Sequence, residues 1–198
     1  MTPAHGKGPP AVGIAASAGG LRALSSLLAA LPADTEAAIL IVQHVDPSRP
    51  SQSAAILGRT TALAVRAATD GDALEAGLVL VAEPNRHLVV DSSGRVRLVD
   101  SPPVNHVRPS ADPLFESLAG SHGARAAAVI LTGTGRDGAA GAQVLRRAGG
   151  HVVVQEPSEA QFSGMPTAAI AAGPVDEVVP LERIPGCIWS FATGLALR

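Results

Sequence analysis

Apolar residues in this chain fall into short continuous runs, separated by stretches with helical period. AVGIAAS (11–17) is apolar almost throughout, and leucines follow at 21, 24, 27, 28 and 31, which predicts a strand and then a helix from Gly20 to about Leu31. AAILIVQH (37–44) is another unbroken run, the pattern of a strand covered on both faces in a parallel sheet. A helix is expected from about Ser51 to Arg59. The middle changes character: LAVRAA, LVLVAE, HLVVD and RVRLV are short β-like runs broken by turn residues. The turn DSSG between the last two predicts a hairpin.

The alternation resumes after the proline-rich DSPPVNHVRP. Ser110 fits an N-cap, with Asp112 and Pro113 in the first turn of a helix running to about Ser121. AAAVILT, DGAAGAQVLRRAG and GHVVVQE read as strand, helix and strand. A short helix from Met165 or Pro166 and a last strand, VDEVVP, complete the series. Strands alternating with helical stretches of roughly 10–15 residues predict right-handed βαβ units. The expected fold is one α/β domain, doubly wound, with a mostly parallel sheet, helices on both faces and an inserted β-hairpin. Residues 1–10 read as a flexible lead-in and 11–198 as the folded domain.

Composition narrows the function classes. The 198 residues, 46% hydrophobic and 16% charged, can bury a core and exclude a disordered chain. A net charge of −2, with no Tyr, three Phe and one Trp, offers nucleic acid neither a basic surface nor stacking rings. No apolar run approaches the roughly 18 residues that span a bilayer, and the lead-in lacks a signal-peptide core. The lone Cys187 cannot form an internal disulfide. A cytoplasmic setting is therefore expected.

In doubly wound sheets ligands bind at the carboxyl ends of the strands. Three residues with hydrolytic chemistry fall there: Ser17, His44 and, in the loop TGTGRDG, Asp137. An imidazole can take the serine proton while a carboxylate fixes its tautomer. Each also has a structural alternative. Ser17 could cap the following helix, His44 could be a surface histidine, and Asp137 could be a first-turn acid favoured by the helix dipole. Residue pattern leaves both readings standing. A competitor is GTGRDG (133–138), which fits G-x-G-x-x-G, with Glu156 at the end of the next strand. The motif lies late in the chain, and Asp137 would set a carboxylate where a pyrophosphate belongs. No metal is expected, since His44 and Asp137 lack companions at ligand spacing.

The stretches GIAASAGG, VQHVDP, PPVNHVRPSADPLFESLA, VILTGTGRDGAAG and GMPTAAI, in this order, resemble the catalytic domain of the CheB family of chemotaxis protein-glutamate methylesterases, from about Val12 to Val179. The resemblance implies Ser17 as nucleophile, His44 as general base and Asp137 as the histidine's partner, with no cofactor. It also implies oxyanion donors in the backbone of Thr134 and Ala18. The departures are specific. Ala15 and Ala18 stand where the family usually has glycine and threonine, Thr134 where it has methionine, and His106-Val107 where it has Arg-His.

By the same resemblance the reaction is hydrolysis of glutamyl γ-methyl esters on the cytoplasmic helices of methylated chemoreceptors, with deamidation of receptor glutamines as a related activity. A separate response regulator or methyltransferase is a further candidate partner; direct membrane insertion is not expected. The family commonly carries an N-terminal receiver domain, and no segment here reads as one. The rival reading keeps the fold as a catalytically weak or inactive module that binds a receptor or signalling partner.

Overall fold

The computed structural model describes residues 8–44 and 51–195. Most of the expected lead-in and the Val45-Asp46-Pro47 part of VQHVDP lie outside the described residues. In chain order the elements are β1 (Ala11–Ala16), α1 (Gly20–Ala29), β2 (Ala38–Gln43), α2 (Ser53–Leu57), β3 (Ala64–Ala67), β4 (Leu78–Val81), β5 (His87–Val90) and β6 (Val96–Val99). Then come α3 (Ala111–His122), β7 (Ala126–Ile130), α4 (Ala139–Arg147), β8 (His151–Gln155), α5 (Gly164–Ala172), β9 (Glu177–Val179) and α6 (Ile184–Thr193).

Seven strands form one sheet in the order β3-β4-β2-β1-β7-β8-β9. Every neighbouring pair is parallel. The apolar runs occupy its centre: β1, β2 and β7 are buried along their whole length. Helices cover both faces. On one face Leu24, Leu27 and Leu28 of α1 share a core with Ile39, Ile41, Val129 and the α6 residues Ile184 and Ile188. On the other, Leu114, Phe115 and Leu118 of α3 pack with Leu145 of α4, Met165 of α5 and Leu40, Ala128 and Ile130 of the sheet. Each such side chain taken fully from water contributes about 1.5–3 kcal/mol, so the central strands are the rigid part of the molecule.

The hairpin forms as expected, β5 pairing antiparallel with β6 from His87 opposite Val99 to Val90 opposite Val96. It stands apart from the main sheet and lays Leu88, Val90 and Val96 into the α3-side core. Three details differ from the sequence reading. LAVRAA and LVLVAE supply β3 and β4, which join the main sheet in parallel. α2 is shorter than the expected 51–59 span, since the chain leaves the helix at Gly58. α6 was not foreseen, because Pro185 and Gly186 obscure an apolar stripe at 184, 187, 188 and 192.

From β1 the chain moves to β2 on one side, while β7 lies on the other, with α1 and α4 on opposite faces. The crevice at a topological switch point of this kind opens above the carboxyl ends of β1, β2 and β7.

Candidate active site

β1 ends at Ala16 and α1 begins at Gly20, so Ser17 stands in a turn of three residues. Gly19 is the helix N-cap, in the left-handed conformation at φ 75°, which a glycine adopts without strain. No side chain caps α1, so Ser17 is not serving as its cap. Backbone bonds hold the turn instead: Ser17 N–H donates to the Thr132 carbonyl at 3.1 Å, and Gly20 N–H to the Ser17 carbonyl at 2.8 Å. The Thr132 hydroxyl donates to the Ala18 carbonyl at 3.1 Å and accepts from Phe162 N–H at 2.9 Å.

His44 follows β2 and extends its register, its N–H donating to the Ala16 carbonyl at 3.1 Å. Its ring is largely covered, with 13% of the side chain exposed, and Nε2 lies 2.8 Å from Asp137 Oδ2. An ionised carboxylate only accepts, so Nε2 carries the hydrogen and Nδ1 is the basic nitrogen.

Asp137 precedes α4 and is buried, 2% exposed. Its Oδ2 also accepts from Ala111 N–H at 2.7 Å, while Oδ1 accepts from the Ser110 hydroxyl and from Asn105 Nδ2, the latter at 3.1 Å. Burial alone would raise this carboxyl. The donors from His44, Ala111 and Ser110 outweigh burial and hold it below the ordinary carboxylate range. Ser110 is the expected N-cap of α3, accepting from Asp112 N–H at 3.3 Å, and its hydroxyl proton serves Asp137.

A second carboxylate stands behind the first. Asp112 accepts from Gly141 N–H at 2.7 Å and from the same Asn105 amide at 2.6 Å. Burial, with the charge of Asp137 adding to it, raises the Asp112 carboxyl above its usual value. Asn105 reaches both acids from a tight turn in which Val104 and Val107 bond each other, with φ 52° at Asn105 and 67° at His106. Both central residues thus have the positive φ of a type I′ turn, which asparagine tolerates well.

Ser17, His44 and Asp137 line one cleft of about 510 Å³, with Asn105, Thr134 and Arg136. Among the described residues the N–H groups of Thr134 and Ala18 have no acceptor within the protein; only Thr134 of the two lines the cleft. Ala15 points away from it, buried in the core with Phe115. GTGRDG does not form a phosphate cradle. Its aspartate is buried under the loop, and Gly138 and Gly141 abut Phe115 and Asp112 of α3. Glu156 accepts from Ser158 N–H in a local turn at 3.2 Å. Among the described residues no cluster of His, Cys, Asp and Glu suits a metal ion, and no helix is long and apolar enough to cross a membrane.

Sequence reasoning gathered Ser17, His44 and Asp137 but missed Asn105, Gln43, Thr132 and the link from Ser110 to Asp137. VNHV gave no sign that its asparagine turns inward. Gln43 carried a signal, as a polar residue ending an otherwise apolar buried strand.

Comparison with known proteins places the chain in a family. The family model for CheB methylesterase matches residues 12–188. The chain is 45% identical over 172 residues to the protein-glutamate methylesterase/protein-glutamine glutaminase 2 of Anaeromyxobacter dehalogenans, covering 87% of this chain and 50% of that protein. It is 42% identical over 191 residues to the corresponding enzyme 1 of Burkholderia lata, covering 96% and 57%. The chain therefore spans about half the length of the curated relatives it matches. The crystal structure of the Thermotoga maritima CheB methylesterase catalytic domain superposes with a TM-score of 0.87 at 34% identity, covering 92% of this chain and 98% of that one.

Proposed function

The chain belongs to the CheB methylesterase family, and from that premise we propose that it hydrolyses glutamyl γ-methyl esters on the cytoplasmic helices of chemoreceptors. The observation that carries the reading is the convergence of Ser17 with the hydrogen-bonded His44–Asp137 pair on one cleft at the switch point of the sheet.

In this mechanism the Ser17 hydroxyl attacks the ester carbonyl while His44 accepts its proton through Nδ1. Asp137 holds the imidazole by Nε2 and supports the imidazolium that forms. His44 then gives the proton to the departing methoxide, releasing methanol and leaving an acyl-serine. Water, deprotonated by the same nitrogen, cleaves the acyl-enzyme to the glutamate carboxylate and free Ser17. The N–H groups of Thr134 and Ala18 are the proposed donors to the oxyanion. A backbone donor survives a change of side chain, so alanine and threonine at these positions are compatible with the role. The same attack on a glutamine amide would release ammonia, the deamidation that the relatives' names describe.

The experiment is methanol release from a methylated chemoreceptor fragment by the purified protein and by its Ser17→Ala variant. Release by the wild type alone supports the reading. No release from a folded wild type, with retained binding of the fragment, replaces it by the binding-module reading.

A further inference from the structure

Gln43 is the last residue of β2, between the apolar run AILIV and His44. It is 6% exposed, and a polar side chain buried at a strand end must find partners. Those partners are the two residues of the proposed chemistry. The Nε2 amide donates to the Ser17 carbonyl at 2.9 Å and to the His44 carbonyl at 2.9 Å. The orientation of the amide follows from its neighbours: two carbonyl oxygens require a donor, and one NH₂ supplies both hydrogens.

Two further facts mark this as a built arrangement. The first residue of α1, Gly20, leaves the space the amide occupies; a Cβ there would stand 2.3 Å from Gln43 Oε1 and 2.7 Å from the Ala16 Cβ. No positive φ demands glycine at position 20, and a helix would be better served by alanine. The glycine makes room for two neighbours, the Gln43 amide and the Ala16 methyl. Gln43 Oε1, in turn, is buried with no hydrogen-bond partner among the described residues.

We propose that Gln43 is a positioning residue, whose amide clamps the Ser17 turn to the His44 backbone and so fixes the distance between nucleophile and base. The proposal rests on the esterase reading above. Ser17 and His44 follow different strands, β1 and β2, and the bond from His44 N–H to the Ala16 carbonyl joins the two chain segments beside them. A displacement of about 1 Å between reacting groups costs on the order of 100-fold in rate, so one clamp of two hydrogen bonds suffices to matter.

The test uses two variants that disturb the clamp from opposite sides. Gln43→Met keeps the length and loses the donor; Gly20→Ala keeps Gln43 and crowds its amide, together with the Ala16 methyl. Ser17 reactivity is read with a fluorophosphonate probe and turnover with p-nitrophenyl acetate, alongside thermal unfolding. Both variants should stay folded and lose on the order of 10- to 100-fold in probe reactivity and kcat, with KM within about twofold of wild type. A folded Gln43→Met or Gly20→Ala protein that labels at the wild-type rate would overturn the clamp alone. A wild type that the probe does not label at Ser17 would overturn the esterase reading and the clamp with it.

Discussion

Gly133 approaches Ser17 so closely that a methyl group on its Cα would stand 2.9 Å from the Ser17 Cβ and 2.2 Å from the Met165 Sδ. The tail of β7 and the turn after β1 are thus in contact at the point where the proposed nucleophile is presented. The methionine is fully buried in the α3-side core, and the serine Cβ is fixed to a turn held by backbone bonds. Gly133→Ala should therefore displace Ser17 as well as press on the core. Ester hydrolysis is expected to fall on the order of 10- to 100-fold with only a few degrees lost in thermal midpoint, and unchanged turnover would refute the contact argument.

Ser17→Ala should abolish hydrolysis without unfolding the domain. The hydroxyl makes no capping bond to α1 and stands at a strand end beside the cleft, so its loss leaves the core intact. Methanol release together with a denaturation curve separates the two effects; turnover near wild type would remove Ser17 as the nucleophile.

Asp137→Asn replaces an acceptor-only group by an amide, which presents hydrogens to donors. Four donors converge on this side chain: His44, Ala111 N–H, Ser110 and Asn105. At least one faces an amide NH₂ after the change, and the imidazole is no longer held with its hydrogen on Nε2. The expected result is a drop in kcat of roughly 10³- to 10⁴-fold with KM little changed, and about 1–3 kcal/mol of lost stability. A loss confined to KM would point to substrate binding as the role of this carboxylate.

The parallel core was legible because its strands are buried on both faces and so read as unbroken apolar runs, AILIV being the clearest. Their carboxyl ends then marked Ser17, His44 and Asp137 without any side-chain geometry. What lay hidden was everything that depends on a tertiary approach. Asn105 reaches Asp137 across 32 residues of chain from a turn whose second central residue is His106, where an Asn-Gly pair would have signalled the same conformation. Gly20 starts α1, as it looked, and also leaves space for Gln43 and the Ala16 methyl. Gly133, first glycine of an apparent nucleotide motif, is instead a point of contact with Ser17. Small residues leave no mark in a hydrophobic pattern, since what they do is make room for something else.

Asp112 and Asp137 share the Asn105 amide and are displaced in opposite directions, so acid should act on them with opposite sign. Asp112 is raised in the folded state by burial and by the charge of Asp137. The folded protein then binds more protons than the unfolded chain between the ordinary value of 3.8 and the raised one, and stability increases as pH falls through that window. Asp137 is lowered. The stability it contributes is fully present above 3.8 and is lost as pH falls through its depressed folded value. Urea denaturation across pH 3 to 7 checks both. The wild type should gain on Asp112→Asn as pH drops from 7 toward 4. Against Asp137→Asn its advantage should hold down to about 4 and shrink below it. If the two difference curves bend the same way, the carboxylates are not opposed, and burial does not outweigh the donors at Asp112 while yielding to them at Asp137.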